Sequence, residues 1–204
     1  MAYPTVSGPY GFQPINLIGG QVFAGSTRLF PIAQNSGTSI FYGDVVRLNT
    51  GGTLSKVSTT ATATDAVGIF LGCQFTNPTT KQLLQQQYYP ASTNATDIQA
   101  FVLDDPDALF KVAVTAAGAS TISGVTQAAI GQNSALILTA GSTTTGDSLA
   151  SISATTGAGT AVPMRIVAGV PETVNASGSF TEVIVKFNFG VHTYYSAAGV
   201  ATAA

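Results

Sequence analysis

The sequence predicts a mainly β protein: a small antiparallel domain preceded by an extended N-terminal arm. Three observations lead there. Apolar residues fall in strand-length runs bounded by glycine, as in Ala66-Val67-Gly68-Ile69-Phe70-Leu71-Gly72. Turn chemistry separates the runs. Asn49-Thr50-Gly51-Gly52 stands between Val45-Val46-Arg47-Leu48 and Thr53-Leu54-Ser55-Lys56-Val57, the pattern of a hairpin whose turn needs positive φ. Finally, Pro4, Pro9 and Pro14 recur at even spacing with glycines between them, which suits neither a helix nor a central strand.

Taken in order, residues 1–20 are too apolar for a solvated tail, since Tyr3, Tyr10, Phe12, Ile15, Leu17 and Ile18 all need cover. They are expected to lie extended on another chain, with packing against their own domain as the alternative. Residues 21–34 alternate loosely and carry Pro31, so they predict an edge strand. Ile40-Phe41-Tyr42 predicts a strand broken by Gly43-Asp44, and the hairpin comes next, with Val46 and Leu48 on one face. After a polar spacer, residues 66–72 predict a strand buried on both faces. Residues 74–87 are ambiguous: 79–85 have helix propensity, while Gln86-Gln87-Tyr88-Tyr89 reads as a strand entering the Pro90 turn. A loop and a strand are expected there. Residues 98–103 predict a strand, Asp104-Asp105-Pro106-Asp107 the first turn of a short helix, and residues 110–114 a returning strand. Residues 115–161 are low in complexity, with strands expected at 135–138 and 149–153 around a turn region. Residues 164–170 and 181–189 predict the last strands. In the latter, Glu182, Ile184 and Lys186 share one face and Val183, Val185 and Phe187 the other, so one face is expected to be wet. The tail from His192 is expected to fray.

Composition narrows the function. Charged residues make up 8% of the chain, against about 25% in a typical soluble domain. Mean hydropathy is +0.34, and Ala, Gly, Thr and Ser make up nearly half the chain. No apolar run approaches the ~20 residues of a bilayer-spanning helix, and no membrane partner is expected. Low charge suits a protein held in an assembly rather than one kept apart from its neighbours by repulsion. The net charge of −2 and seven scattered cations give no electrostatic case for nucleic acid. Cys73 is the single cysteine, so no intrachain disulfide forms, and its apolar neighbours predict a buried, inert thiol. The N-terminus lacks the pattern of a secretory signal, so the Asn94 and Asn175 glycosylation sequons are read as chance.

Catalytic chemistry finds little support. Nucleophilic catalysis needs a nucleophile, a base and an orienting group together, and His192 is the only histidine. No phosphate-binding loop, dinucleotide fingerprint or zinc-protease motif occurs. Neither an enzyme nor a cofactor is expected. Asp104, Asp105 and Asp107 are the one acidic cluster. Carboxylates so grouped hold a cation in some proteins, but without calcium-loop spacing the capping reading is preferred, and no metal site is expected. Paired-acid glycoside hydrolysis wants sugar-stacking aromatics, and the chain has no Trp. Tyr42, Tyr88, Tyr89, Tyr194 and Tyr195 keep a surface carbohydrate-binding β-module as an alternative.

Several blocks together resemble a family. They are S-G-P-Y-G-F-Q-P-I-N-L-I-G-G-Q-V-F-A-G-S-T-R, I-F-Y-G-D-V-V-R-L, A-V-G-I-F-L-G-C, Q-Y-Y-P-A, D-D-P-D-A-L-F-K-V, P-M-R-I-V-A-G-V-P and F-T-E-V-I-V-K-F-N. In this order they resemble the capsid decoration, or cement, proteins of tailed bacteriophages such as those infecting cyanobacteria. The resemblance covers most of the chain and is weakest over 115–161 and at the C-terminal tail. It implies a single antiparallel β-barrel or β-tulip-like domain on the outer face of the virion head. It further implies binding between capsomers, stabilisation of the expanded shell, the major capsid protein as partner, and self-association, as a homotrimer or alternatively a dimer. Under it, residues 1–20 are the arm, 21–191 the decoration domain and 192–204 a flexible tail. The arm contacts carried over are Tyr3, Pro4, Pro9, Tyr10, Phe12, Pro14, Ile15, Leu17 and Ile18. A tail or fibre component is the other structural alternative, although no periodic repeat supports it.

Overall fold

A computed structural model describes residues 6–58, 65–159 and 162–196. These residues form twelve strands, two single-turn 3₁₀ segments and no α-helix. The strands are β1 (Gln13–Leu17), β2 (Arg28–Pro31), β3 (Val45–Leu48), β4 (Leu54–Lys56), β5 (Ala66–Thr76), β6 (Leu83–Gln86), β7 (Gln99–Leu103), β8 (Ala108–Thr115), β9 (Asn133–Ile137), β10 (Ser151–Gly157), β11 (Met164–Gly169) and β12 (Glu182–Phe187).

Two sheets result. The first has the order β1-β8-β10-β9-β11-β12, and β12 pairs back onto β8. That return closes β8 to β12 into a five-stranded barrel, which leaves those strands no open edge. The barrel is mixed rather than wholly antiparallel, a correction to the expected fold. β9 settles one strand position away from β8, and β10 turns back into the gap running parallel to β8, with Ile152 opposite Val114. The second sheet is antiparallel in the order β2-β7-β5-β3-β4, with β6 also on β5. Ile32, just past β2, makes a bridge to Leu54 of β4, so this sheet curls round to meet itself.

Each sheet encloses its own core. Phe110, Val112, Leu136, Ile152, Met164, Val183, Val185 and Phe187 fill the closed barrel. Phe30, Ile32, Val46, Leu54, Phe70, Phe75, Tyr89 and Val102 fill the second sheet. β5 is buried on both faces, as its unbroken apolar run predicts. Val67, Phe70, Cys73 and Phe75 enter the second core, while Ala66 and Ile69 join the first. Gly68 lies where β5 meets the end of β7: a Cβ there would stand 2.1 Å from the Leu103 carbonyl oxygen. No other residue type is accommodated without moving backbone.

The β3–β4 hairpin, the β2 edge and the strands from β7 onward form where the sequence places them. Other expectations are corrected. Residues 40–42 make isolated bridges, not a strand. Residues 77–82 form the expected loop, but the strand after them is β6, Leu83–Gln86, earlier than the 86–89 read from the sequence. Residues 104–107 make a turn instead of starting a helix. Asp107 N–H donates to Asp105 Oδ1 at 2.8 Å and Ala108 N–H to the Asp105 carbonyl at 3.2 Å, which sends the chain straight into β8. His192 is fully buried and bridges Ala66, so the described part of the tail, to Ser196, is docked and not frayed.

Over its described part the N-terminal segment packs on its own domain. β1 pairs antiparallel with β8, Gln13 opposite Lys111 and Leu17 opposite Ala108. The register shifts between Pro14 and Asn16, and β1 lies at the sheet edge. An edge strand with a bulge tolerates proline because its outward side needs no ladder donor.

Candidate assembly surface

The nine arm residues divide once the structure is in view. Tyr3 and Pro4 lie outside the described residues. Pro9 and Phe12 are buried in their own domain, Phe12 meeting Phe110 edge-to-face at 6.4 Å between ring centres. Neither is available to another chain. Tyr10 is half-buried. Its hydroxyl donates to the Glu182 carboxylate, and Lys111 stands 5.6 Å over its ring and 3.5 Å from the same carboxylate. Burial, followed by the bond to Glu182, raises the phenol far above its ordinary range. Pro14, Ile15 and Leu17 are half-buried. Only Ile18, at a hairpin tip beside Val22, remains open among the described members.

A second apolar surface stands at the C-terminal end, around Tyr194 and Tyr195. His192 stacks edge-on against Phe187 and Tyr194, at 5.4 and 5.0 Å. Its Nδ1 accepts the Tyr194 N–H, and its Nε2 is buried without a partner. Burial holds the imidazole below its ordinary value near 6.5, opposed by the Val67 backbone and by Asp104 and Asp105. Tyr194 donates to Asp104 at 2.6 Å, and Arg28 pairs with the same carboxylate at 3.2 Å while lying 5.5 Å over the Tyr194 ring. The segment is thus tied to both β2 and the β7–β8 turn. What it leaves outside is aromatic: Phe189 is 76% exposed and stacks on Tyr195 at 5.6 Å. The F-N-F and T-Y-Y spacing around His192 was the available signal for this patch.

Charge is largely cancelled within the chain. Arg28, Arg47, Lys56, Lys111 and Lys186 each pair with an acid at 3.5 Å or less. The deepest pair joins Lys56 to the fully buried Asp44 at 2.8 Å. Asp44 also accepts the Phe41 N–H and the Ser148 hydroxyl. The acidic cluster is divided among partners: Asp104 to Arg28, Asp105 to its own turn, Asp107 to Lys186 at 2.9 Å. Among the described residues no group of His, Cys, Asp and Glu is placed to hold a metal ion. Cys73 is buried, and desolvation pushes its thiol up to about 12. An open groove between residues 117–121 and 135–140 is lined by small and aliphatic side chains, with no acid or base for chemistry. No family model, curated protein or solved structure matches the chain.

Proposed function

We propose that this chain is a structural protein of a tailed-phage head, a decoration protein that binds the major capsid protein between capsomers on the outer shell. The observation that carries the reading is the pairing of a self-neutralised surface with an exposed aromatic patch at Phe189, Tyr194 and Tyr195. Surfaces with few free charges lose little by desolvation when they close on a partner, and exposed aromatic rings supply contact area at low entropic cost. The sequence resemblance supports the same reading. In it, attachment runs through the C-terminal patch and the Ile18–Val22 tip rather than through Pro9 and Phe12. Self-association as a trimer, or alternatively a dimer, adds avidity to individually weak contacts.

The test is the copy number of this chain per major capsid protein in virions purified from its source. A ratio near one-to-one is expected. A few copies per particle would favour a tail or fibre role, and absence from virions would reject the virion-structural reading. Phe189→Ala together with Tyr195→Ala is expected to weaken head binding at least tenfold, read by co-sedimentation with heads lacking the protein.

A further inference from the structure

Among the described residues, β1, β2, β4 and β6 stand at sheet edges. An edge presents unpaired backbone N–H and C=O groups to any other strand, and proteins guard it with charge, proline, a bulge or a cover. β1 carries Pro14 and a register shift, and Val22 bridges back onto Asn16 along its outer side. β2 carries Arg28 and Pro31. β4 ends in Lys56, whose ammonium turns inward to Asp44, and Ile32 bridges to Leu54 across its outer side.

β6, Leu83-Leu84-Gln85-Gln86, has none of these guards. It holds no charge and no proline. Its four residues pair in continuous register with Thr76, Phe75, Gln74 and Cys73 of β5, so no bulge turns the edge away. On its other side no described strand lies against it. Shortness does not set it apart, because β2 also has four residues and β4 three, and both are guarded besides. Leu83 is 63% exposed and Gln85 is exposed, so the outer face of the strand is open as well as its edge.

The occupant that fits is a second copy of the same strand. Antiparallel pairing about a two-fold axis at Leu84 sets Leu84 against Leu84, and Leu83 of each copy against Gln85 of the other. Like charges directly opposite one another destabilise a ladder, and none meet here. Lys81, the nearest charge along the chain, falls opposite Gln87. Five of the seven cations are already paired within the chain, so two copies approach with few free charges to repel.

We propose that β6 is a self-association edge, through which two copies join by antiparallel β6–β6 pairing into one continuous sheet. The pairing selects a two-fold dimer over a trimer and leaves the Phe189–Tyr195 patch free. It holds or fails independently of the head-decoration reading, which copy number in virions tests.

The experiment is sedimentation equilibrium of the full chain up to about 1 mM, with amide hydrogen exchange over the same concentrations. A dimer is expected, with amides among Leu83–Gln86 gaining protection only where it forms. Leu83→Lys with Gln85→Lys is expected to weaken dimerisation at least about tenfold, and the urea midpoint of the dilute chain to stay in place because both side chains are exposed. Leu83→Glu with Gln85→Glu is expected to act alike. Mixing the two variants is expected to restore pairing, since opposite charges then face one another. Three results would overturn the proposal: a monomer throughout the series, a dimer that the lysine variant leaves intact, or protection of these amides in the dilute monomer, which would mean that another part of the chain covers β6. Should the lysine variant fail to fold, the wild-type series and its protection map still decide.

Discussion

His192 sits among Phe187, Tyr194 and Tyr195 and its Nδ1 accepts the Tyr194 N–H, so the neutral ring carries its proton on Nε2 and a second proton must enter at Nδ1, breaking that bond inside a buried site. Its folded value lies below the ordinary 6.5. Below about pH 6.5 the unfolded chain therefore takes up the proton first, and stability falls as pH drops toward the folded value. Above that range the imidazole is neutral in both states and the contribution is complete. We expect the urea midpoint to fall as pH is lowered from 7 through this window, and His192→Gln to remove that part of the slope whatever it does to the plateau. Phe12 makes the matching prediction at the other end of the chain. It is fully buried against Phe110, so Phe12→Ala should cost about 3–5 kcal/mol by denaturant unfolding. A side chain in a loose arm would cost nearly nothing. Neither burial was legible locally. Phe12 stands in a Pro- and Gly-punctuated segment with its partner Phe110 far along the chain, and His192 stands near a terminus, its ring neighbours local but the strand it docks on, at Ala66, distant.

Between elements, Asp44 pairs with Lys56 inside the second sheet and accepts from Ser148 on the way into the closed barrel. Asp44 precedes β3, Lys56 ends β4, and Ser148 leads into β10 of the closed barrel. Lys56→Met would leave a carboxylate buried without its cation, for a loss of about 3–5 kcal/mol. Asp44→Asn combined with Lys56→Met should lose less than the sum of the two single changes, and a double-mutant cycle on urea midpoints measures the difference. Sequence reading found most strands because their side chains alternate or run together in short apolar blocks: Val45–Leu48, residues 66–72 of β5 and Glu182–Phe187 are each visible on inspection, while the continuation of β5 to Thr76 was not. It missed β1 because proline argues against a strand until its place at an edge is known. It misread Asp104–Asp107 because an Asp-Pro step opens a turn as readily as a helix; the β-rich L-F-K-V-A-V immediately C-terminal to it favours the turn.

For the whole molecule, the unread feature was the number of cores. Periodicity says that a face is apolar, not which interior it serves. The clue lay in β5: an antiparallel strand buried on both sides implies an interior on each side, and here Ile69 and Phe70 point into different ones. Because Val45, Ala66, Ile69 and Leu103 of the second sheet belong to the core of the closed barrel, the two halves should not unfold separately. A single calorimetric transition is expected, with van't Hoff and calorimetric enthalpies equal. Two resolved peaks would mean that this shared core adds little. The candidate surfaces were less legible than the fold. Phe189 and Tyr195 become neighbours only when His192 turns the chain back beneath them.

The position of β1 also bears on synthesis. Its partner β8 comes after it by roughly 95 residues, several seconds of translation at about 5–20 residues per second. The second sheet, bounded by β2 and β7, lies wholly between them and can complete itself first. During that interval Phe12 and its neighbours have left the ribosome with no edge to join. The segment made first waits for β8 before it can be seated, and the barrel beyond β8 closes only after β12 has been made.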